Sequence, residues 1–182
     1  TVPENVSNIK QNAFENCSSL TSIIFPKKVT IIYEDMFRNC ISLKSVQFQG
    51  NVTHIYGMVF YNCTSLTSFI IPPSVITIGK PNNSSIPIFI LHGDRCYSDE
   101  CIGTFYGCTN LESITIPEKV TIIEDYLFYG CSKLSSVTFL GNIESIGSFS
   151  FSKCISFESF TIPASVTSIG NEAFSFCERL SY

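Results

Sequence analysis

The sequence has little charge and no tryptophan. Of its 182 residues, 14% are charged and 45% are hydrophobic, and the formal net charge is −4. A chain this apolar can bury enough surface to offset the entropy lost on folding, which excludes intrinsic disorder. The negative balance argues against a nucleic-acid binder, because phosphate contacts need clustered lysine and arginine.

Long hydrophobic runs and histidines are also scarce. The longest apolar runs, such as Ile88–Leu91, are far shorter than the roughly 20 residues of a membrane-spanning helix, so we expect no membrane insertion. The only two histidines, His54 and His92, form no nucleophile–base spacing with other residues, and no glycine-rich phosphate loop is present. The sequence therefore predicts no enzymatic activity, and the regular repeats offer no metal site.

What the sequence does contain is a 23-residue period. Seven of the nine cysteines fall on it, with a single gap of 45 residues between Cys63 and Cys108. Seven of the sixteen phenylalanines keep the same period, and five further apolar columns recur in step. A unit this short cannot close its own core, so neighbouring units must stack and share one. We therefore predict a single repeat array over residues 1–182.

Each unit has a recognisable local pattern. Leu20–Phe25 alternates in the manner of a short strand, and Val29–Ile32 predicts a second extended piece. Strands one period apart would form a parallel sheet. Phe174, Cys177 and Leu180 are spaced three apart, which predicts one or two helical turns on the outer wall.

The 45-residue gap predicts a degenerate unit. Residues 80–104 are interpreted as a degenerate repeat with an insertion, in which Ile86–Gly93 supplies the strand. The chain ends, with Pro3 one period before Pro26 and Leu180–Tyr182 inside a strand pattern, predict that it is a fragment of a longer array.

Two stretches resemble a known family. Leu111–Ile123, followed by Phe128 and Cys131, is similar to the BspA-type leucine-rich repeat, and so is Ile162–Phe174. The resemblance implies an α/β solenoid: a curved leucine-rich repeat horseshoe with a parallel concave β-sheet and short helical turns on the convex side. It also implies a scaffold that binds a protein partner on the concave sheet, without enzymatic activity or cofactor.

The candidate binding face comes from the strand alternation, because residues between the inward-pointing pair face outward. A serine column, Ser22 to Ser159, is small and is interpreted as structural. The adjacent column begins with isoleucines, which mark either an interface or the preference of β-branched residues for sheets. Charged residues flank the same face. We predict partner-binding roles for Ile24, Gln47, Ile70, Ile90, Lys44, Glu112 and Thr115.

Three tyrosines form a separate column on the flank: Tyr61, Tyr106 and Tyr129. Tyrosines often anchor interfaces, but packing along the flank is the favoured interpretation here.

The remaining two cysteines, Cys96 and Cys101, lie in the least repetitive segment. Three alternatives are open for this pair. The two cysteines could form a disulfide in an oxidising compartment, bind zinc together with His92, Asp94 or Asp99, or stay as free thiols. Asn82 and Asn83 form an adjacent pair of glycosylation motifs in a loop.

The seven periodic cysteines favour a reducing compartment. We therefore expect an intracellular protein, in cytoplasm or nucleus, acting as an adaptor or regulator, for example of a phosphatase catalytic subunit. The alternative is a cell-surface adhesin or host-binding protein, which the family resemblance favours.

Overall fold

The computed structural model describes residues 1–79 and 103–181. Within these ranges the chain forms two series of short strands that alternate along the sequence. The principal strands are β1 (Ser22–Phe25), β3 (Ser45–Phe48), β5 (Ser68–Ile70), β7 (Ser113–Ile116) and β9 (Ser136–Phe139). The second series is β2 (Ile31–Ile32), β4 (His54–Ile55), β6 (Thr77–Ile78), β8 (Ile122–Ile123), β10 (Ser145–Ile146) and β11 (Ser168–Ile169).

All strand pairings are parallel and follow the repeat. Ser22 pairs with Ser45 and Ile146 with Ile169, in each case one period apart. The principal strands form the sheets β1-β3 and β5-β7-β9, and the second series forms β2-β4-β6 and β8-β10-β11. The predicted solenoid of stacked parallel strands is therefore confirmed.

The core consists of columns of equivalent apolar side chains, one from each unit, and the phenylalanine and cysteine columns are the most uniform. The periodic phenylalanines stack ring on ring: Phe37 on Phe60 at 5.6 Å, Phe60 on Phe105 at 5.3 Å, and Phe128 on Phe151 at 5.4 Å between centroids. All five rings are fully buried. Since each ring packs between its equivalents in the two adjacent units, the core runs continuously along the array.

The predicted helical turns on the outer wall are wrong: the described residues contain no helix. In six of the seven described turns, two residues with left-handed backbone instead lie close to the column phenylalanine, and the turn at Phe105 has one, Gly107. Around Phe37 they are Asp35 (φ 54°) and Asn39 (φ 58°), and Gly130 (φ 72°) follows Phe128 in the same way. A right-handed helix cannot propagate through left-handed residues placed this closely.

The backbone of these turns is hydrogen-bonded between units. The N–H of Phe37 donates to the carbonyl oxygen of Val59 at 2.9 Å, and that of Asn39 donates to Tyr61 at 2.8 Å. In an α-helix the same groups would bond four residues back within their own unit. A spacing of three between apolar residues fits such turns as well as a helix, which is why the sequence pattern misled.

The 45-residue gap is bridged directly. Strand β5 pairs with β7, with Ser68 opposite Ser113, and the N–H of Phe60 donates to the Thr104 carbonyl at 2.8 Å. These contacts join the two described units on either side of the gap. Phe105 lies 30 positions after Val75, whereas Phe60 lies eight positions after Val52, the equivalent residue of the preceding unit. The connection before Phe105 is therefore 22 residues longer than in a regular unit.

One regular unit is therefore interrupted after Gly79 and resumes at Gly103. Gly103 packs so closely that a Cβ atom there would lie 1.9 Å from the carbonyl oxygen of Tyr126. The proposed degenerate repeat over 80–104, including Ile86–Gly93, otherwise lies outside the described residues.

The column cysteines have a structural role. Six of the seven are buried, and each thiol donates to the phenylalanine carbonyl of a neighbouring unit, for example Cys63 to Phe37 at 3.1 Å and Cys131 to Phe105 at 3.1 Å. Burial raises the pKa of the Cys40 thiol to about 11 and that of Cys131 well above its usual value. Since the thiolate is the reactive form, these side chains behave as small, inert core residues.

Replacing residues 80–102 by a single glycine tests whether the array folds without this segment. The linkage Gly79-Gly-Gly103 would restore the regular spacing seen at Tyr56-Gly57-Met58. We expect cooperative urea unfolding with a free energy unchanged or raised by up to about 3 kcal/mol, because the shorter connection loses less entropy on closure. Loss of the cooperative transition would mean that the segment is part of the core.

Thiol labelling of the native protein tests the role of the column cysteines. We expect Cys17, which is exposed, to react readily with Ellman's reagent. The six buried column cysteines should react at least about 100-fold more slowly, because their reaction requires opening of the array. Peptide mapping assigns each rate and keeps Cys96 and Cys101 apart from the column. Reaction of buried and exposed column cysteines at one rate would contradict the packing described.

Candidate functional site

The principal face consists of the outward residues of the five principal strands. It carries two columns: Ser22, Ser45, Ser68, Ser113 and Ser136, and beside them Ile24, Gln47, Ile70, Thr115 and Thr138. Of the predicted binding residues, Gln47, Ile70 and Thr115 are exposed and Ile24 is half-buried. Ile90 lies outside the described residues. The structure thus brings Gln47, Ile70 and Thr115 together on one surface.

Ile70 is the outstanding residue of this face. Its side chain is 86% exposed, the largest fraction among the exposed large hydrophobic residues described. It lies opposite Thr115 in the pairing of β5 with β7. The neighbouring outward positions, Gln47 and Thr115, carry amide and hydroxyl groups, so Ile70 is the most exposed apolar side chain of this face among the described residues.

The principal sheet is interrupted beside Ile70. No strand pairing joins β3 to β5. The two units are nevertheless neighbours, because β4 pairs with β6 in the second sheet and the Phe37 and Phe60 rings stack at 5.6 Å. The interruption is therefore confined to the principal sheet, between Gln47 and Ile70.

A larger core side chain explains the interruption. Phe69 occupies the column that holds Ile23 and Val46 in the preceding units. Its ring meets Phe48 edge-on, at 6.2 Å and 87°, whereas Phe25 and Phe48 stack at 5.4 Å where β1 and β3 pair. The extra volume of Phe69 holds the two principal strands apart.

The same arrangement recurs near the other end of the array. Phe160 follows Val137 in that column and meets Phe139 edge-on at 6.1 Å and 73°. Residues 159–162 form no strand, although the repeat predicts one. A Val-x-Phe unit followed by a Phe-x-Ile unit thus marks both interruptions, a signal that was present in the sequence.

Charged residues lie along one rim of the principal face. Lys44 and Glu112 are exposed and belong to the units before and after that of Ile70. Their backbones are fixed, since Lys44 N–H donates to Thr21 and Glu112 N–H to Thr67. Glu158 is paired with Arg179, whereas neither Lys44 nor Glu112 takes part in an ion pair between described residues.

The tyrosine column has a different geometry. Tyr106 stacks on Tyr61 at 5.0 Å and on Tyr129 at 4.6 Å, with Arg38 over the Tyr61 ring and Lys153 over that of Tyr129. Burial raises the pKa of Tyr106 to about 12. The ring faces are covered by one another and by the two cations, which favours the packing interpretation over a binding surface.

Two other classes of site are absent from the described residues. No group of three His, Cys, Asp or Glu side chains there is placed to hold a metal ion. Within the same residues, no helix has the length and apolar character needed to cross a bilayer. The segment with Cys96, Cys101 and His92, and the motifs at Asn82 and Asn83, lie outside the described residues, so the alternatives stated for them remain predictions.

The sequence matches a family model described as the BspA type leucine rich repeat region, in six copies over residues 1–86 and 102–182. The chain belongs to this family. The resemblance found in Leu111–Ile123 and Ile162–Phe174 is therefore confirmed.

Solved structures of bacterial leucine-rich repeat proteins have the same fold. A leucine rich cell surface protein from Faecalibacterium prausnitzii A2-165 is 31% identical, with a TM-score of 0.77 over 99% of this chain and 45% of its own. The T. pallidum leucine rich repeat protein is 23% identical, with a TM-score of 0.60 over 99% of this chain and 76% of its own.

A leucine-rich repeat protein from Eubacterium ventriosum ATCC 27560 is 24% identical, with a TM-score of 0.62 over 89% of this chain and 44% of its own. This chain thus spans less than half of two of the three proteins. Comparison with curated proteins gives no match.

The expectation of an intracellular adaptor in cytoplasm or nucleus is wrong. The BspA-type relative at 31% identity is described as a cell surface protein. The argument from the cysteines fails for a physical reason, because buried thiols with raised pKa values, bonded to carbonyls, do not need a reducing compartment to stay reduced.

Proposed function

We propose that this chain is a non-enzymatic, cell-surface protein-binding module that holds its partner on the principal face around Ile70. The observation that carries the proposal is the 86% exposure of Ile70 on a face whose other exposed residues in the described strands are polar. When a partner covers a large apolar side chain that rigid neighbours keep exposed to solvent, the free energy of the complex is lowered. Gln47 and Thr115 surround this anchor with groups that form hydrogen bonds.

The rigidity of the array supports a binding role. The residues on either side of Ile70 belong to units linked by backbone hydrogen bonds and ring stacks. Because the face is already ordered, a partner that docks on it loses little conformational entropy from this side of the interface. Repeat arrays in general bind over extended surfaces of this kind.

The surface location is supported by the 31% identical cell surface protein from Faecalibacterium prausnitzii. This chain covers 45% of that protein, so the similarity concerns only part of it. A surface location for this protein is therefore part of the proposal. The inert cysteine column is compatible with an oxidising environment. An adhesin or host-binding protein is the form of this function that the family favours.

A matched pair of variants tests the binding role of Ile70. Ile76 is also an exposed isoleucine, but it precedes β6 of the second sheet and lies off the principal face. We expect Ile70→Glu to reduce retention of the partner by about tenfold or more, because a charge replaces the anchor, while Ile76→Glu leaves it unchanged.

The measurement is quantitative mass spectrometry of proteins retained by the immobilised wild type and by each variant, after circular dichroism has established that both variants fold. If both variants lost the partner equally, or if neither lost it, Ile70 would not be part of the binding site.

Surface labelling of intact cells tests the location. Lys27, Lys28 and Lys119 are exposed, so an amine-reactive biotin reagent that cannot cross membranes should label this protein without lysis. We expect labelling of the intact cells to approach that after lysis, while a cytoplasmic marker is labelled only after lysis. Protection of this protein together with the marker would overturn the surface assignment.

A further inference from the structure

The first two left-handed outer turns, residues 12–16 and 35–39, meet at a poorly solvated carboxylate. This contact between the two turns is called the first junction below. We propose that Asp35 is a proton switch: its ionised form loosens the first junction, and its protonated form tightens it. The switch lies on the outer turns and does not depend on the binding role of Ile70.

Backbone hydrogen bonds hold the first junction together. Three N–H groups of the first turn donate to carbonyl oxygens at the start of the second, at 2.8 to 3.1 Å: Asn12 to Glu34, Phe14 to Met36, and Asn16 to Arg38. Asp35 lies between two of these acceptor residues along the chain. A charge on its side chain therefore acts directly on the hydrogen bonds that join the two turns.

The Asp35 carboxylate is partly buried and poorly supplied with donors. Its side chain is only 20% exposed, and its Oδ1 atom is buried and accepts no hydrogen bond within the described part of the chain. The Nη1 atom of Arg38 lies 3.9 Å from Oδ1, which is longer than a hydrogen bond. Because an ionised carboxylate without donors is costly to bury, the charged form of Asp35 destabilises this site.

The charges around Asp35 are mostly of its own sign. Among the described residues, those that act on it are Arg38, Glu15 of the first turn and Glu34. Arg38 is shared, since its Nη1 atom also lies 3.9 Å from Glu15 Oε1. Burial is the largest cause that raises the pKa of Asp35 to about 6, and Glu15 and Glu34 raise it further against the attraction of Arg38. Negative charges thus act on each other across the first junction.

The first turn contains the neutral counterpart of this residue. Asn12 occupies the position equivalent to Asp35 and has the same left-handed backbone, with φ of 60° against 54°. Its Nδ2 atom donates to Glu15 Oε2 at 2.8 Å, across the spacing of three residues that also separates Asp35 from Arg38. A neutral amide therefore fits this turn, which makes Asp35→Asn a suitable mimic of the protonated form.

The direction of the pH dependence follows from the raised pKa. The usual pKa of an aspartate is 3.8, so the folded chain binds this proton more tightly than the unfolded chain does. The stability that the proton contributes is complete below pH 3.8 and is lost as the pH rises through about 6. Protonation also removes the repulsion between Asp35 and Glu15, so the first junction tightens in mildly acidic surroundings.

Two measurements on the 182-residue chain test the switch. Nuclear magnetic resonance of the Asp35 carboxyl carbon should give a titration midpoint near pH 6. Urea unfolding of wild type and Asp35→Asn gives the ratio of their unfolding equilibrium constants, which we expect to fall about tenfold from pH 7 to pH 5, because only the wild type takes up the proton. The ratio of wild type to Glu144→Gln, which removes an exposed charge in another unit, should stay constant.

Amide hydrogen exchange locates the effect in the molecule. Relative to the unprotected rate at the same pH, the amides of Asn12, Phe14 and Asn16 should be more protected at pH 5 than at pH 7 in the wild type. In Asp35→Asn their protection should not depend on pH. The turn amides of Phe128 and Gly130, which donate to a distant junction, should be unaffected in both proteins.

Three results would overturn the proposal. They are a titration midpoint of Asp35 near pH 4, an unfolding ratio of wild type to Asp35→Asn that does not change with pH, and an equal gain in protection at all turns. The carboxyl titration uses the wild type alone, so it does not depend on the folding of the variant.

Discussion

Each unit of this protein completes its backbone hydrogen bonds and its core on the neighbouring unit. The N–H of Phe37 bonds to the next unit, the Cys63 thiol bonds to the unit before, and the Phe60 ring packs between equivalent rings on both sides. Isolated units would leave these groups unsatisfied, so the array is stable only as a stack. The recurring apolar columns and the parallel register agree with this dependence.

The sequence predicted the features that depend on strict periodicity. The strand pairs Ser22 with Ser45 and Ser113 with Ser136 are one period apart, as the apolar columns require. The outer turns were mistaken for helices because apolar residues three apart fit both, and the left-handed residues there include Tyr126 and Phe149, which the sequence gives no reason to expect in that conformation. The gap after Cys63 is one residue short of two periods, and the degenerate repeat expected over residues 80–104 stays a prediction, because nearly all of it lies outside the described residues.

The candidate site depends on where the periodicity is broken. Ile70 was predicted together with Ile24, yet only their surroundings distinguish them: Ile24 is half-buried, whereas Ile70 lies beside the strand separation caused by Phe69. The exchange of Val for Phe in that column is visible in the sequence, but its effect depends on an edge-on ring contact that no spacing rule supplies. For the cysteines, the number of residues suggested a reducing compartment. Their burial and their thiol–carbonyl hydrogen bonds show instead that they are packing residues, so they give no information on the compartment.

Hydrogen exchange at single amides measures the dependence between units most directly. We expect the turn amides of Phe37, Asn39 and Phe128 to exchange as slowly as the amides of β7, since each donates to the next unit. We also expect faster exchange for β5, whose edge towards β3 is unpaired, than for the equivalent residues of β7. Fast exchange at the turns, or equal protection in β5 and β7, would contradict the claim that contacts between units hold this fold together.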